Sequence, residues 1–296
     1  MADYSSHLNI PYLGASSPRL ALDLFLPSSA CSSSPLLVWI HGGAWRSEAK
    51  EDFTDTLVPS LVRHTQLPIA VLEYRLAPAD PHPAQILDVL AGLSLLSSPE
   101  LLPLENGSAR WSRQSLILAG HSAGAFMAAE LVLRPPPSAS PSFAVPLAVR
   151  QSILTVICID GIYDLPELLD EYPSYHYFVD DAFGTDAKIL ADESPARWDV
   201  YDDEAARKVR FLVLHSKDDE LLSLRQSRVF VRRLKELLGG MEVGEGDKEA
   251  EQRLPATVEV DFDSLKGTHQ GLLKREELPR AIARYKQDID AKQFAA

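Results

Sequence analysis

The pentapeptide Gly120-His121-Ser122-Ala123-Gly124 joins an apolar run at 115–119 to a helix-like segment at 125–132. This order predicts a strand, a tight turn and a helix, with Ser122 at the apex of the turn. Glycine is expected on both sides because a Cβ there would collide with the neighbouring strand or helix. The helix also presents its positive end to the serine oxygen, where negative charge develops during nucleophilic attack. Ser122 is therefore the first candidate nucleophile.

Short apolar runs alternate with helical patterns along the chain, which is typical of a mostly parallel sheet with helices on both faces. With 296 residues, 46% of them hydrophobic, the chain can bury one large core, so we expect a single α/β domain over 1–296. The predicted strands cover 20–26, 36–40, 69–72, 116–119, 153–159, 211–214 and 257–262. The predicted helices cover 53–64, 83–96, 122–133, 224–238 and 270–286.

Three segments fall outside this pattern. Residues 1–18 are expected to form an N-terminal extension. Residues 138–150 are rich in proline, serine and alanine, and residues 239–253 are rich in glycine and charged side chains. We predict a surface loop for each of the last two segments, and a flexible one at 239–253, which has little apolar surface to bury.

Composition limits the binding partners and the cellular compartment that we expect for this protein. The formal charge of −13 repels phosphate backbones and anionic lipids, so we expect neither nucleic acid nor a membrane as a partner. The chain has no run of about 18 apolar residues and no basic start followed by an apolar core, which predicts a cytoplasmic protein. Cys31 lies in a serine-rich turn and Cys158 in an apolar run, so both are expected to be reduced.

The sequence lacks the common motifs of metal and cofactor sites. The sequence contains no HExxH, no paired-cysteine motif, no aspartate-rich calcium loop and no GxGxxG fingerprint. We therefore expect a site that acts on a small molecule without a metal ion or a cofactor.

The segment His41-Gly42-Gly43-Ala44-Trp45 directly follows the predicted strand 36–40. Its two glycines allow backbone N–H groups to turn inward and stabilise an oxyanion. Gly43 and Ala44 are the first candidates as donors, together with Gly42 and with Ala123, which follows the candidate nucleophile. The alternative is a simple glycine turn between a strand and a helix.

The sequence also offers an acid and a base. Asp219 follows the predicted strand 211–214, where a carboxylate can orient a histidine; Asp218 is the alternative, and a solvated acidic loop remains a third interpretation. His269 lies between the last predicted strand and the last predicted helix. The other candidate bases, His41, His121 and His215, directly adjoin other parts of the site and fit this role less well. The chain order of serine, acid and histidine is that of the α/β-hydrolases.

The assembled motifs resemble those of the kynurenine formamidases, or arylformamidases, and especially of their fungal branch. The similarity lies in HGGAW at 41–45, GHSAGA at 120–125, DGIYDLPELLDEYPSY at 160–175, HSKDDELLSLRQ at 215–226 and THQGLL at 268–273. Related lipases and esterases usually carry a third glycine where this chain has Ala44-Trp45. The chain departs from the family pattern at 239–253, an apparent insertion between acid and base.

The resemblance implies an α/β-hydrolase fold and hydrolysis of N-formyl-L-kynurenine to L-kynurenine and formate, in tryptophan degradation toward NAD precursors. By motif position it implies Ser122 as nucleophile, Asp219 as acid and His269 as base. It is also consistent with a homodimer. Two other functions stay open: a general short-chain carboxylesterase with the same triad, and a non-catalytic binding protein of the same fold.

The sequence leaves substrate binding open. Trp45 is a candidate wall for the aryl ring, and an aromatic cluster is a candidate cap, although simple packing explains each equally well. Asp160 and Asp164 lie near the expected cleft, where strand-end capping is an equal alternative. The members of the aromatic cluster are Tyr172, Tyr175, Tyr177 and Phe178.

Overall fold

An eight-stranded sheet forms the centre of the protein. The computed structural model describes residues 4–12, 19–98, 110–139, 144–239 and 257–294, the last seven without their side chains. The strands run in the spatial order β1-β2-β4-β3-β5-β7-β9-β10, and a second small sheet pairs β6 with β8. The strands are β1 Tyr4–Pro11, β2 Ala21–Pro27, β3 Leu36–Ile40, β4 Ile69–Leu72, β5 Leu116–His121, β6 Leu133–Arg134, β7 Ile153–Ile159, β8 Asp199–Val200, β9 Arg210–Leu214 and β10 Val258–Asp261.

Strands β4, β3, β5, β7, β9 and β10 are parallel, and β1 and β2 add an antiparallel edge. Strand β3 shows why the pattern is a continuous apolar run: all five of its residues are buried. Val38 packs into a core on one face, whereas Leu37 and Trp39 pack into a core on the other. A parallel strand buried on both faces has no polar side, which confirms the predicted fold class.

Helices cover both faces. Helices α2 and α3 contribute to the first core, and α1 and α10 contribute to the second. No helix in the described ranges is both long and apolar enough to cross a membrane. The helices are α1 Leu57–Thr65, α2 Ala84–Ser97, α3 Ala123–Glu130, α4 Leu147–Ser152, α5 Leu165–Glu171, α6 His176–Phe183, α7 Ala187–Asp192, α8 Glu204–Lys208, α9 Leu224–Gly239 and α10 Glu277–Phe294.

The structure departs from the sequence prediction in several places. Residues 4–11 of the expected extension pair with β2 as an edge strand. The last four residues of the expected loop 138–150 belong to α4, Leu147–Ser152. The expected loop 239–253 lies, after its first residue, outside the described residues. Residues 165–200, which we call the cap segment, contain α5, α6 and α7, none of which was predicted. These helices have six to eight residues each, too few for a clear apolar period.

A buried lysine holds the N-terminal edge strand in place. The Lys50 side chain is 2% exposed, and its Nζ lies 3.0 Å from Asp23 Oδ1 in β2. It also donates to Asn9 Oδ1 at 2.8 Å, and the Asn9 N–H donates to Asp23 Oδ1 at 2.7 Å. Because the charged ends are removed from water, each depends on the other for compensation. Residues 4–11 are therefore joined to the sheet through side chains as well as through the backbone ladder.

Replacing Lys50 with methionine is expected to lower the free energy of unfolding by about 3 kcal/mol, because Asp23 keeps a buried charge without its partner. Urea denaturation of Lys50→Met and the parent measures this difference. Lys208→Met is the matched control, since its pair with Glu204 is 70% and 81% exposed and exposed pairs contribute at most about 1 kcal/mol. Equal effects of the two substitutions would contradict the role given to Lys50.

Candidate active site

Ser122 lies in the sharp turn between β5 and α3, with φ 55° and ψ −119°. A Cβ on Gly124 would come within 2.1 Å of the Ile40 carbonyl oxygen, and one on Gly120 within 2.2 Å of the Gly124 oxygen. Both glycines are therefore required by close backbone contacts, as expected from the sequence. The turn places the serine directly before the first N–H groups of α3, which have no acceptor within the helix.

The acid and the histidine lie in two loops that meet beside this turn. His269 Nδ1 lies 2.7 Å from Asp219 Oδ2. The other oxygen, Asp219 Oδ1, accepts from the N–H groups of Leu221 and Leu222 at 2.8 and 2.9 Å. Burial alone would raise the pKa of Asp219, but the hydrogen bonds from His269 and the backbone outweigh it, and the net pKa is lowered. Asp219 is thus held as a carboxylate facing the histidine ring.

The acids on either side of Asp219 hold the same loop through its backbone. Asp218 Oδ2 accepts from the Gly267 N–H at 3.0 Å. Glu220 Oε2 accepts from the N–H of His269 at 2.8 Å. Asp218, the alternative acid, therefore contacts the loop and not the histidine ring. The three acids thus all contact residues 267–269, although Asp218 and Glu220 are themselves exposed to solvent.

Asp160 lies behind this pair at the end of β7. Its Oδ1 accepts from the Ser216 N–H at 2.8 Å, and its Oδ2 is buried without a hydrogen-bond partner among the described residues. Oxygens of Asp160 and Asp219 and a nitrogen of His269 lie within 4.8 Å of one another. Burial, followed by the charge of Asp219, raises the pKa of Asp160 to about 9. Asp160 is therefore a neutral carboxyl beside an ionised one at pH 7.

Asp164, which the sequence set beside Asp160, has a structural role. It caps the N-terminus of α5 by accepting from the Glu167 N–H at 3.0 Å. It also pairs with Arg197, whose Nε lies 2.7 Å from Asp164 Oδ2. Asp164 is therefore structural, but it caps a helix and not the end of a strand, and its oxygens are occupied within the cap segment.

Two other histidines support the site without facing the cleft. His121 Nε2 lies 3.0 Å from the carbonyl oxygen of His269, and burial lowers the pKa of His121 well below its ordinary value. The neutral ring therefore donates Nε2–H to that oxygen. His215 lies between Ser227 Oγ at 2.8 Å and the Leu222 oxygen at 3.0 Å, and burial also lowers its pKa.

The loop after β3 has an unusual backbone. Gly43, Ala44 and Trp45 have φ values of 80°, 51° and 59°, and a Cβ on Gly43 would come within 2.2 Å of the Ser47 oxygen. Such a left-handed run costs conformational energy and persists only where packing enforces it. The Gly42 N–H is already engaged, since it donates to Glu48 Oε2 at 3.1 Å. This contact removes Gly42 from the predicted set of free donors.

One cleft of about 220 Å³ brings these elements together. Ser122 and His269 line it together with Gly43 and Ala44. From the cap segment, three of the four predicted aromatic residues line the same cleft: Tyr175, Tyr177 and Phe178. The fourth, Tyr172, stacks on Tyr175 with ring centroids 4.8 Å apart. The aromatic cluster therefore forms one wall of the cleft.

Trp45 is not among the residues that line this cleft. Its side chain is fully buried and packs edge-on against Phe126 and Phe183, with centroids 5.2 and 4.9 Å away. The suggestion that Trp45 forms a wall for the substrate is therefore corrected. It lies behind the loop 42–44, where its bulk packs the cap segment against α3.

Two polar residues of the cleft had no signal in the sequence. Glu48 and Gln270 both line it, and Gln270 Nε2 donates to Glu48 Oε1 at 2.6 Å. Burial raises the pKa of Glu48. Glu48 thus joins the loop after β3 to the residue that follows His269. Its position depends on a contact between distant parts of the chain, which no local motif reports.

Known proteins of the same fold match most of this chain. A family model described as alpha/beta hydrolase fold matches residues 37–235. Among solved structures, a truncated carbohydrate esterase from gut microbiota aligns with a TM-score of 0.72 over 97% of this chain and 99% of its own, at 15% identity. An arylesterase aligns with a TM-score of 0.62 over 90% of this chain and 80% of its own, at 18% identity. At such identities these structures support the fold alone.

Curated relatives are closer in sequence. A kynurenine formamidase of Eremothecium gossypii is 34% identical over 212 residues, which are 67% of this chain and 78% of the relative. Those of Scheffersomyces stipitis and Meyerozyma guilliermondii are 30% and 31% identical, covering 69% and 65% of this chain and 80% and 68% of the relatives. The chain therefore belongs to the kynurenine formamidase family of α/β-hydrolases.

Proposed function

We propose that the protein hydrolyses N-formyl-L-kynurenine to L-kynurenine and formate. The observation that carries this proposal is the pairing of His269 with Asp219 at 2.7 Å beside the cleft that Ser122 lines. The relatives named kynurenine formamidase, at 30–34% identity, support the choice of a formyl amide as substrate.

Each residue of the proposed triad has its own role in the reaction. Ser122 Oγ attacks the formyl carbon while His269 Nε2 accepts its proton. The C–N bond then breaks, and His269 returns that proton to the departing aryl amine. Water next attacks the formyl-enzyme with His269 again as base, and formate leaves as Ser122 recovers its proton. Asp219 keeps the Nδ1–H of His269 in place throughout and stabilises the imidazolium without taking its proton.

Backbone N–H groups stabilise the oxyanion of each tetrahedral intermediate. We assign this role to Gly43 and Ala44 from the loop after β3, and to Ala123 at the start of α3. Gly43 and Ala44 line the cleft, and the Ala123 N–H has no acceptor within its helix. Loss of one such donor costs about 3 kcal/mol of transition-state stabilisation.

Glu48 fits the amino-acid end of this substrate. It is the one carboxylate among the described residues that line the cleft, and the substrate carries an α-ammonium group. A carboxylate hydrogen-bonded to that ammonium is a stronger contact than a neutral pair, particularly where water is excluded. We therefore assign the recognition of the ammonium group to Glu48.

We also propose that the enzyme is a cytoplasmic homodimer. Cys31 and Cys158 are both free thiols, which suits a reducing compartment. The dimer rests on the family resemblance, and light scattering of the purified protein measures it directly.

Replacing Ser122 with alanine is expected to lower the turnover of N-formylkynurenine by at least ~10³-fold, because the attacking oxygen is lost. Kynurenine formation, followed by its absorbance, measures the effect, and circular dichroism confirms that the variant is folded. A mild loss would remove Ser122 from the nucleophile role.

The substrate preference of the parent enzyme distinguishes a formamidase from a general esterase. We expect a higher kcat/KM for N-formylkynurenine than for p-nitrophenyl acetate. Rapid cleavage of the ester, with the formamide hydrolysed no faster than in buffer, would contradict the proposed function while leaving the triad intact.

Asp160→Asn is expected to keep activity within about threefold, because asparagine has the shape and zero charge of the protonated acid. Asp219→Asn is the matched control and should lose about 10⁴-fold in kcat, since an amide no longer holds the required histidine tautomer. A large loss in Asp160→Asn would show that an ionised Asp160 is needed.

The stability of Asp160→Asn relative to the parent is expected to depend on pH. The pKa of Asp160 is about 9 in the folded protein, whereas an unfolded aspartate ionises near pH 4. Unfolding between these limits releases a proton, so this group lowers stability as pH rises from about 4 to 9. The melting temperature of Asp160→Asn relative to the parent should therefore increase between pH 5 and pH 8.

Glu48→Gln is expected to raise KM for N-formylkynurenine about tenfold, because the ammonium loses its charged partner. Formanilide, an aryl formamide without the amino-acid tail, is the control substrate. A shift of the loop after β3 would affect both substrates equally. An unchanged ratio of the two kcat/KM values would contradict the role of Glu48 in ammonium binding.

A further inference from the structure

A second cluster of ionisable side chains lies away from the cleft, between the cap segment and the body of the protein. His82 lies just before α2, Glu130 is the last residue of α3, and Glu193 directly follows α7. Glu130 is fully buried, and the side chains of His82 and Glu193 are 5% and 4% exposed. Each residue offers one ligand atom, and the three atoms lie within 4.8 Å of one another.

The spacing within the cluster suits two ligands on one ion. His82 Nε2 lies 3.2 Å from Glu193 Oε2. Two ligands at Zn²⁺ bond lengths and a tetrahedral angle would be separated by about 3.3 Å. The same distance also permits a direct hydrogen bond between His82 and Glu193. The surroundings of the third residue, Glu130, distinguish a metal site from a simple hydrogen-bonded pair.

Glu130 is that third residue, and the hydrogen bonds among the described residues do not satisfy it. Both of its carboxyl oxygens are buried without a hydrogen-bond partner in the described part of the chain. A buried polar group without a partner is costly, and native structures rarely tolerate one. A carboxylate buried in this way needs a cation beside it, and the ligand atoms of His82 and Glu193 lie within 4.8 Å of one of the Glu130 oxygens.

A divalent cation meets each of these requirements. Its two positive charges balance two carboxylates and a neutral imidazole, and it supplies a partner for the Glu130 oxygens. Mixed histidine and carboxylate donors suit first-row transition ions, whereas Mg²⁺ and Ca²⁺ prefer oxygen alone. We propose that His82, Glu130 and Glu193 bind one divalent transition-metal ion of the Zn²⁺ type. No sequence motif marks these ligands, because 48 and 63 positions separate them along the chain.

This ion is structural and takes no part in the hydrolysis. Ser122 and Glu130 lie at opposite ends of the eight-residue helix α3, which separates them by roughly 12 Å at 1.5 Å per residue. The ion instead joins α3 to the cap segment. His82 already contacts that segment, since its N–H donates to the Ala182 oxygen at 2.8 Å and its ring stacks on Phe183 at 4.6 Å.

Zinc titration of the full-length protein tests the proposal. The purified protein is treated with a chelator, exchanged into metal-free buffer at pH 7.5 and titrated with Zn²⁺ by calorimetry. We expect one tight equivalent and a rise in melting temperature when it is filled. Glu130→Gln keeps the shape of the side chain but removes its charge. We expect it to weaken binding at least about a hundredfold, because even outer partners of metal ligands contribute 10–100-fold.

Two control variants locate the bound ion. His176→Asn removes an exposed pair, in which His176 Nδ1 lies 2.9 Å from Asp180 Oδ1, and should leave the tight equivalent unchanged. His269→Asn removes the histidine of the cleft and should also retain it. Loss of the tight equivalent of Zn²⁺ in either control would place the ion at the residue replaced in that variant and would overturn the proposal.

Two further results would also overturn it. One is a parent protein that takes up no tight equivalent of Zn²⁺, a measurement that does not depend on how any variant folds. The other is Glu130→Gln that binds Zn²⁺ as tightly as the parent. Failure of the zinc site would leave the proposed hydrolysis unaffected, because the two rest on different residues.

Discussion

The close contact between the start of α3 and the end of β3 is the constraint on which the site depends. The backbone at Gly124 lies so near the Ile40 carbonyl that no side chain fits between them. This contact brings the end of β3, with the loop that follows it, directly against the serine turn. Ser122 takes a strained conformation, φ 55°, because the strand and the helix on either side are fixed by packing. Ser122 and the proposed oxyanion donors of that loop are thus positioned together by one backbone contact.

Hydrogen bonds to acidic side chains position His269, the proposed base. Three consecutive acids hold the loop of His269, two through its backbone and one through the ring. The cost of placing a further carboxyl, Asp160, beside Asp219 is avoided because Asp160 stays protonated. The ionised Asp219 and the protonated Asp160 lie side by side, because their environments lower the pKa of the first and raise that of the second. The histidine therefore faces a single negative charge at a fixed place.

Local patterns in the sequence predicted seven of the eight strands of the central sheet, all except β1. Strand β3 appears as a continuous apolar run, because burial on both faces leaves no polar position. The cap segment was missed, since its short helices have no clear apolar period and pack by aromatic contacts. For Trp45 the residue type left a substrate wall and simple packing equally open, and the structure shows packing behind the loop. Glu48 was missed because its partners, Gly42 and Gln270, come together only in the folded protein.

The sequence by itself determined the order of strand, turn and helix at Ser122 and the chain order of serine, acid and histidine. The first is a property of neighbouring residues, which local backbone sterics and apolar periodicity express directly, and the second is given by the positions of the residues along the chain. Only the tertiary structure decided which acid faces His269, that Asp160 is neutral, and that Glu48 lines the cleft. It also decided that His82, Glu130 and Glu193 meet between α3 and the cap segment. Such contacts depend on burial and on distances between remote segments, which no local pattern encodes.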